Sequence, residues 1–376
     1  MTRKLLLILL VLIIAATVLI IYKPQKEESV KTSSDNMSEM LLKDDKKTTN
    51  NVAKITEIAS EPDNKQWFYA IKPQFEDSGI FSEGMARVKK NNLFGFINSK
   101  GDFVIEPSFQ GALEFSDGLA PVNVDNAWGY INTKGEIAIK PQFALSLPFV
   151  EEAGPVVTKE DGHAFVDING DFIIKPDKSL SLLLSEGLIP FNEDNKWGYK
   201  DKENNVILKP QYEDASPFSE GLAAVKLNGK WGYVEKSGKV VIDPAFNAAG
   251  RFSEDIANVK IGEKWTYINK KGEKLFEPIF DVTWQFSNGV APFQLAGQWG
   301  IIDKKGNYIT NPQFDQISTF SNNVAIYKSE NLWGYIYNDG EILSEPVFER
   351  AINYTEGLAA VMTGGKWGFI SFKKKL

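Results

Sequence analysis

The side chains in this sequence with the capacity to act on another molecule are aromatic and acidic, and both kinds recur at a fixed spacing. Stepping by 34 residues from Trp231 reaches Trp265, Trp299, Trp333 and Trp367 in one direction and Trp197 and His163 in the other; one step of 35 then gives Trp128, and a further step of 34 gives Phe94. An indole presents a flat apolar face on which a sugar ring stacks. A large ring repeated at one strand position and followed by glycine is, however, expected to pack against a close backbone approach, so the recurrent tryptophans read as core. Trp284 stands outside this pattern. Its counterparts in other units are Gly250, Ser216, Ser318 and Leu182, a variable place in a connector, which makes Trp284 the ligand-binding candidate and predicts that it is partly exposed.

The acids form a second file: Glu83, Asp117, Glu151, Glu186, Glu220, Glu254 and Glu356, with Asn288 and Asn322 at the two remaining places. Such a file would suit cations or a basic partner. In the setting Phe218-Ser219-Glu220-Gly221 the same side chains are expected to satisfy backbone amides of a turn. Glycoside hydrolysis needs a unique close pair of carboxyl groups, whereas these acids repeat with the array. There is no P-loop, dinucleotide fingerprint, nucleophile elbow or metal-ligand spacing. The absence of cysteine and the single histidine, His163, exclude disulfides, thiol catalysis, Cys-ligated zinc and His-rich metal sites. His163 and Tyr327 are isolated residues of a kind usually structural. No catalytic residue, metal ligand or cofactor is expected, and the chain reads as a non-enzyme. The competing reading is an enzyme, for instance a glycan-acting hydrolase, with its site among the divergent residues 145–184, where Glu151-Glu152, His163-Ala164 and Asp177-Lys178-Ser179 replace the usual residues.

The elements that carry these residues follow from turn chemistry. Leu222 to Leu227 is a short strand, and Asn228-Gly229 after it is a strong hairpin signal. The next strand carries Trp231-Gly232-Tyr233-Val234. It closes in a turn of the kind seen in Asn98-Ser-Lys-Gly101 and Asp303-Lys-Lys-Gly306, a side-chain acceptor first and a left-handed glycine fourth. A third strand, Val240 to Phe246, contains Pro244, which cannot donate to a ladder and belongs at a strand end or edge. Prolines from Pro73 to Pro346 follow the same period, so the chain holds nine copies and is a repeat protein.

Lys196-Trp197-Gly198, Lys230-Trp231-Gly232 and Lys366-Trp367-Gly368 resemble the units of the WG-repeat, or KWG-repeat, proteins of bacteria. The resemblance spans roughly residues 68 to 372 and implies a repeat architecture without implying a particular activity. Phe94-Gly95, His163-Ala164 and Trp265-Thr266 depart from the signature. The expected fold is all-β, with the units stacked as an open β-solenoid, because three short strands in 34 residues fall short of a four-stranded propeller blade. A closed β-propeller-like ring is the alternative, since the array begins in a third strand near Tyr69 and ends in a second strand at Trp367 to Phe372.

The rest of the chain places this array. Residues 1–22 contain the uncharged run Leu5 to Ile21, nearly long enough to cross a bilayer core of ~30 Å, and read as an uncleaved N-terminal transmembrane signal anchor. Residues 23–66 are polar, cannot supply a core and read as a disordered linker; residues 67–376 are the repeat array. The short basic N-terminal tail favours repeats outside the cytoplasm. A net charge of −7 and the lack of a basic block argue against nucleic acid. The expected protein is a single-pass cell-membrane protein whose repeats bind or scaffold a cell-wall polysaccharide or a surface protein.

Overall fold

Each repeat folds as an antiparallel sheet whose middle strands lie where the turn signals place them. In the unit 214–246, Leu222–Leu227 pairs with Lys230–Glu235 without a register break, from Leu222↔Glu235 to Leu227↔Lys230. Asn228 and Gly229 between them have φ of 51° and 75°, as a tight hairpin turn of this hand requires. Val240–Phe246 adds to the far side of the sheet, and there the register slips: Trp231 faces Phe246, while Tyr233 faces Ile242. Gly232 lies opposite the resulting bulge. A Cβ on Gly232 would sit 2.5 Å from the Ile242 carbonyl oxygen and 2.7 Å from the Pro244 nitrogen, so glycine is a steric requirement of this bulge. Pro244 sits in the bulge, where a missing N–H costs no ladder bond.

A fourth element, with no clear sequence signal, completes the unit. Asp214–Ala215, only two residues long, pairs with Lys226 and Val225. Equivalent pairs, such as Gly111–Ala112, Val282–Thr283 and Gln316–Ile317, open other units.

The computed structural model of the protein describes residues 66–148, 156–159, 162–177 and 184–373. Among them are nine sheets: eight lie at 77–109, 111–143, 145–177, 188–212, 214–246, 248–269, 282–314 and 316–348, and a ninth spans 350–372. We number these units 1 to 9 as blades. The ninth is completed by Trp67–Phe75, which pairs with Lys366–Phe372 through Trp67↔Phe372, Phe68↔Ser371 and Tyr69↔Ile370 and, past two bulges, Phe75↔Trp367. The first described strand therefore closes onto the last, and the fold is a nine-bladed β-propeller. The expectation of an open solenoid is wrong. A 34-residue unit suffices for a four-stranded blade because one strand takes two residues, and closure removes the exposed ends that an open array would have to cap.

Neighbouring blades are hydrogen-bonded at the turns between their first and second strands, whereas the fourth strands expose Val104, Ile137, Val206 and Val240 to solvent. The two-residue strand is thus innermost and the proline-bearing strand outermost. The second and third strands carry the core, including Ala223, Val225, Tyr233 and Val234.

Blade 6 shows what happens when the glycine is lost. With Thr266 in its place, the outer strand is reduced to isolated bridges, Trp265↔Phe280 and Ile268↔Lys274, and the Thr266 hydroxyl donates to the Phe276 carbonyl at 2.6 Å.

The apolar run 5–21 falls outside the described residues, as does the linker up to residue 65. Among the described residues no helix is long and apolar enough to cross a membrane.

Two outcomes test this description. Gly232→Val drives a side chain into the Ile242–Pro244 backbone and is expected to cost at least about 1–3 kcal/mol in chemical denaturation, as overpacking does. Excision of one whole period, 206–239, leaves eight blades where nine set the angle at every interface. Its thermal unfolding, followed by circular dichroism, should begin well below that of the parent; an unchanged midpoint would argue against a closed ring.

Candidate functional site

The turns that join first and second strands link each blade to the next. The Ser219 hydroxyl donates to the Phe252 carbonyl at 2.7 Å, Ser253 to Phe286 at 2.7 Å, Ser287 to Phe320 at 2.6 Å and Thr355 to Phe81 at 2.8 Å, the last across the closure. The acidic file runs beside these bonds. Glu220 accepts the Glu254 and Asp255 amides, Glu254 accepts Gly289, and Glu356 accepts Glu83 and Gly84 at 2.9 Å each, again across the closure. The sequence reading of these carboxylates as partners of backbone amides is met with one refinement: the amides belong to the following blade. Glu186 and Glu254 also pair with Lys236 and Lys304, so these carboxylates are already engaged. Among the described residues no group of His, Asp and Glu is arranged to hold a metal ion.

The other candidates are likewise occupied within the fold. His163 is half-buried, its Nδ1 lies 3.1 Å from the Thr158 hydroxyl, and desolvation lowers its pKa. Tyr327 is buried and donates to the Ser344 carbonyl at 3.2 Å. The repeated tryptophans join apolar clusters shared by two neighbouring blades; Trp299 and Trp367 are buried, while Trp197, Trp231 and Trp265 keep part of their surface in solvent.

Trp284 is placed differently, and the surrounding blade explains how. It follows the inner strand Val282–Thr283 of blade 7, and its amide donates to the Pro292 carbonyl at 2.9 Å. Its own carbonyl accepts the Tyr267 hydroxyl from blade 6, also at 2.9 Å. Burial pushes the Tyr267 pKa up and keeps the hydroxyl a donor. The same bond, from the tyrosine of Trp-Gly-Tyr to a carbonyl in the next blade, recurs as Tyr130 to Leu147, Tyr233 to Gly250 and Tyr335 to Ile352. Backbone bonds on both sides thus fix Trp284, but its indole is 44% exposed. It stacks on Trp299, 5.9 Å between ring centroids and 12° from parallel, and Trp299 is only 8% exposed. The indole stacks on a buried ring and keeps just under half of its surface in solvent, a pre-ordered apolar platform.

A family model described as WG containing repeat matches residues 69–94, 94–126, 128–158, 197–231, 231–265, 265–299, 299–333 and 333–367. The unmatched stretch 159–196 overlaps the divergent residues 145–184. No curated protein matches the chain. Among solved structures, a eukaryotic initiation factor superposes with a TM-score of 0.55 at 11% identity, over 77% of this chain and 94% of its own. The extracellular domain of a putative one component system from B. thetaiotaomicron gives 0.36 at 10% identity, over 80% and 54%. Kluyveromyces lactis Hsv2p gives 0.36 at 9%, over 81% and 98%. The first superposition establishes a shared fold and nothing about activity; the other two are too loose to add to it.

The stacked pair generates a clear contrast. Trp299→Ala empties a buried site and should cost about 3–5 kcal/mol in chemical denaturation. Trp284→Ala removes a half-exposed ring and should cost much less, while abolishing the fluorescence component most readily quenched by acrylamide.

Proposed function

Since the chain belongs to the WG containing repeat family, with units matched over most of the propeller, we propose that it is a non-catalytic binding or scaffolding protein of the bacterial cell surface, recognising cell-wall glycan through Trp284. The observation that carries this reading is the exposed indole laid flat on buried Trp299 at a place that other blades fill with Gly250, Ser216 or Ser318. A sugar ring has an apolar face of matching size, and a platform already ordered by the Tyr267 and Pro292 bonds loses little entropy on binding. The acids of the array are engaged with neighbouring amides and lysines, which favours binding over hydrolysis. The apolar run 5–21 would hold the propeller at the membrane, with the polar stretch after it as the tether.

Full-length protein should fractionate with membranes, and protease added to intact cells should remove the propeller; recovery of the whole chain in the cytosol would contradict the tethered arrangement. Protein extracted in detergent should be retained on isolated cell wall. Trp284→Ala should reduce that retention at least about tenfold, the scale of a central aromatic contact, with thermal unfolding shifted far less than by Trp299→Ala. Undiminished retention would remove Trp284 as the contact.

A further inference from the structure

One interblade slot near the inner strands holds an ion pair in one place and a lone charge in another. Between blades 1 and 2, Arg87 Nε donates to Glu114 Oε1 at 3.1 Å, and Gly79 leaves the room this pair needs, since a Cβ there would lie 2.3 Å from Glu114 Oε1. Counting by the repeat, Glu114 corresponds to Arg251 and Arg87 to Ala224. Ala249 and Phe252, on either side of Arg251, pack with Ala224 in one cluster, so the arginine comes from blade 6 towards a small apolar residue of blade 5. It is half-buried, and no hydrogen-bond or ion-pair partner serves it among the described residues. A guanidinium remains charged under these conditions, and leaving it desolvated and unpaired is costly to the fold.

The chain neighbours of Arg251 and Trp284 are linked through Asn258. Gly250, next to Arg251 in the chain, lies against the Asn258 side chain; a Cβ on Gly250 would be 1.9 Å from Asn258 Oδ1. Asn258 Nδ2 donates to both the carbonyl and the hydroxyl of Thr283 at 3.2 Å. Thr283 immediately precedes Trp284. A cation, a polar amide and an aromatic face therefore follow one another along the inner strands of blades 6 and 7.

We propose that Arg251 and Trp284 form one subsite for a carboxylate-bearing sugar, the guanidinium pairing with the carboxylate and the indole stacking on the ring. This rests on the glycan-binding reading of Trp284 and adds the charge of the ligand to it. A planar guanidinium takes a carboxylate through two parallel N–H···O bonds, and the Arg87–Glu114 pair shows that the equivalent slot between blades 1 and 2 accommodates a guanidinium with a carboxylate. Two sources share this chemistry, the lactyl carboxylate of muramic acid and the carboxylate of a uronic acid.

The test measures binding of full-length protein, in detergent, to a muramic-acid-containing glycan fragment, to a uronic-acid oligomer and to the carboxyl-reduced form of each. The parent should bind at least one acidic oligomer at least about tenfold more tightly than its reduced form, and the preference should shrink as salt rises. Arg251→Gln should abolish the preference and its salt dependence, whereas Trp284→Ala should weaken acidic and reduced forms alike. Whichever acidic oligomer shows the preference identifies the source. Arg251→Met provides a readout that a merely structural arginine would not give: removing an unpaired desolvated charge should raise the thermal midpoint while binding is lost. Equal affinity of the parent for acidic and reduced oligomers, no binding of any oligomer, or an unchanged preference in Arg251→Gln would overturn the proposal. Retention on isolated cell wall that depends on Trp284 but not on Arg251 would leave the broader glycan reading standing and remove only the charged subsite.

Discussion

A hydroxyl that reaches one blade ahead is the contact on which the ring depends. Ser219 to Phe252, Ser253 to Phe286 and Ser287 to Phe320 each span 33 residues, and Thr355 to Phe81 makes the same bond between the two ends of the array. These hydroxyls are buried, so a missing partner would cost the desolvation of both groups, about 1–3 kcal/mol each. Because the bond joins equivalent points of successive blades, any blade of a different length would break it on both sides. That accounts for the near-constant period, which is broken once, in the divergent blade: Ser146 pairs with Val157 eleven residues on, whereas Ala215 pairs with Val225 ten residues on. The carboxylate-to-amide bonds of Glu220, Glu254 and Glu356 repeat the same geometry on the surface, where they add direction at less energetic weight.

With the ring held by these turns, by the Tyr-to-carbonyl bonds and by the closing strand pair, other positions are free to differ. The residue two places after each inner-strand start is glycine, serine or an aliphatic in most blades, and nothing in the repeat demands its side chain. Trp284 uses that freedom, and Arg251 stands one residue further on, at a position that Glu114, Pro217 and Thr319 fill in other blades. Both occur around the same irregular blade, whose Thr266 replaces the glycine and whose outer strand is reduced to bridges. Function in such a fold is carried by departures from the repeat, and the repeat supplies a rigid frame around them.

Much of a blade is legible in the sequence, for identifiable reasons. Asn228-Gly229 requires positive φ, Trp231-Gly232 marks a close backbone approach and Pro244 marks an edge, and each stands where the sequence reading places it. The closure is less legible. Asp214–Ala215 is too short to show any periodicity, so the unit reads as three strands and the blade as incomplete. The interblade bonds also join residues a whole repeat apart, beyond the reach of local patterns. Trp284 is visible because an indole replaces small residues. Arg251 is not: in Ala249-Gly250-Arg251-Phe252 it reads as a solvated connector residue, and its lack of a partner emerges only when Ala224 is seen where another blade has Arg87.

The pairing of the first described strand with the last is the most direct point at which to challenge this account, and the absence of native cysteine makes it accessible. Phe68 and Ser371 are register partners across the closure, and directly opposed antiparallel residues lie at about 4.5–5.5 Å between Cα atoms, within disulfide range. A Phe68→Cys/Ser371→Cys variant should form an intramolecular disulfide on mild oxidation at low protein concentration, migrating as a compact monomer on a non-reducing gel. If the two cysteines remain free, or form only links between chains, the ends do not meet and the propeller is the wrong architecture.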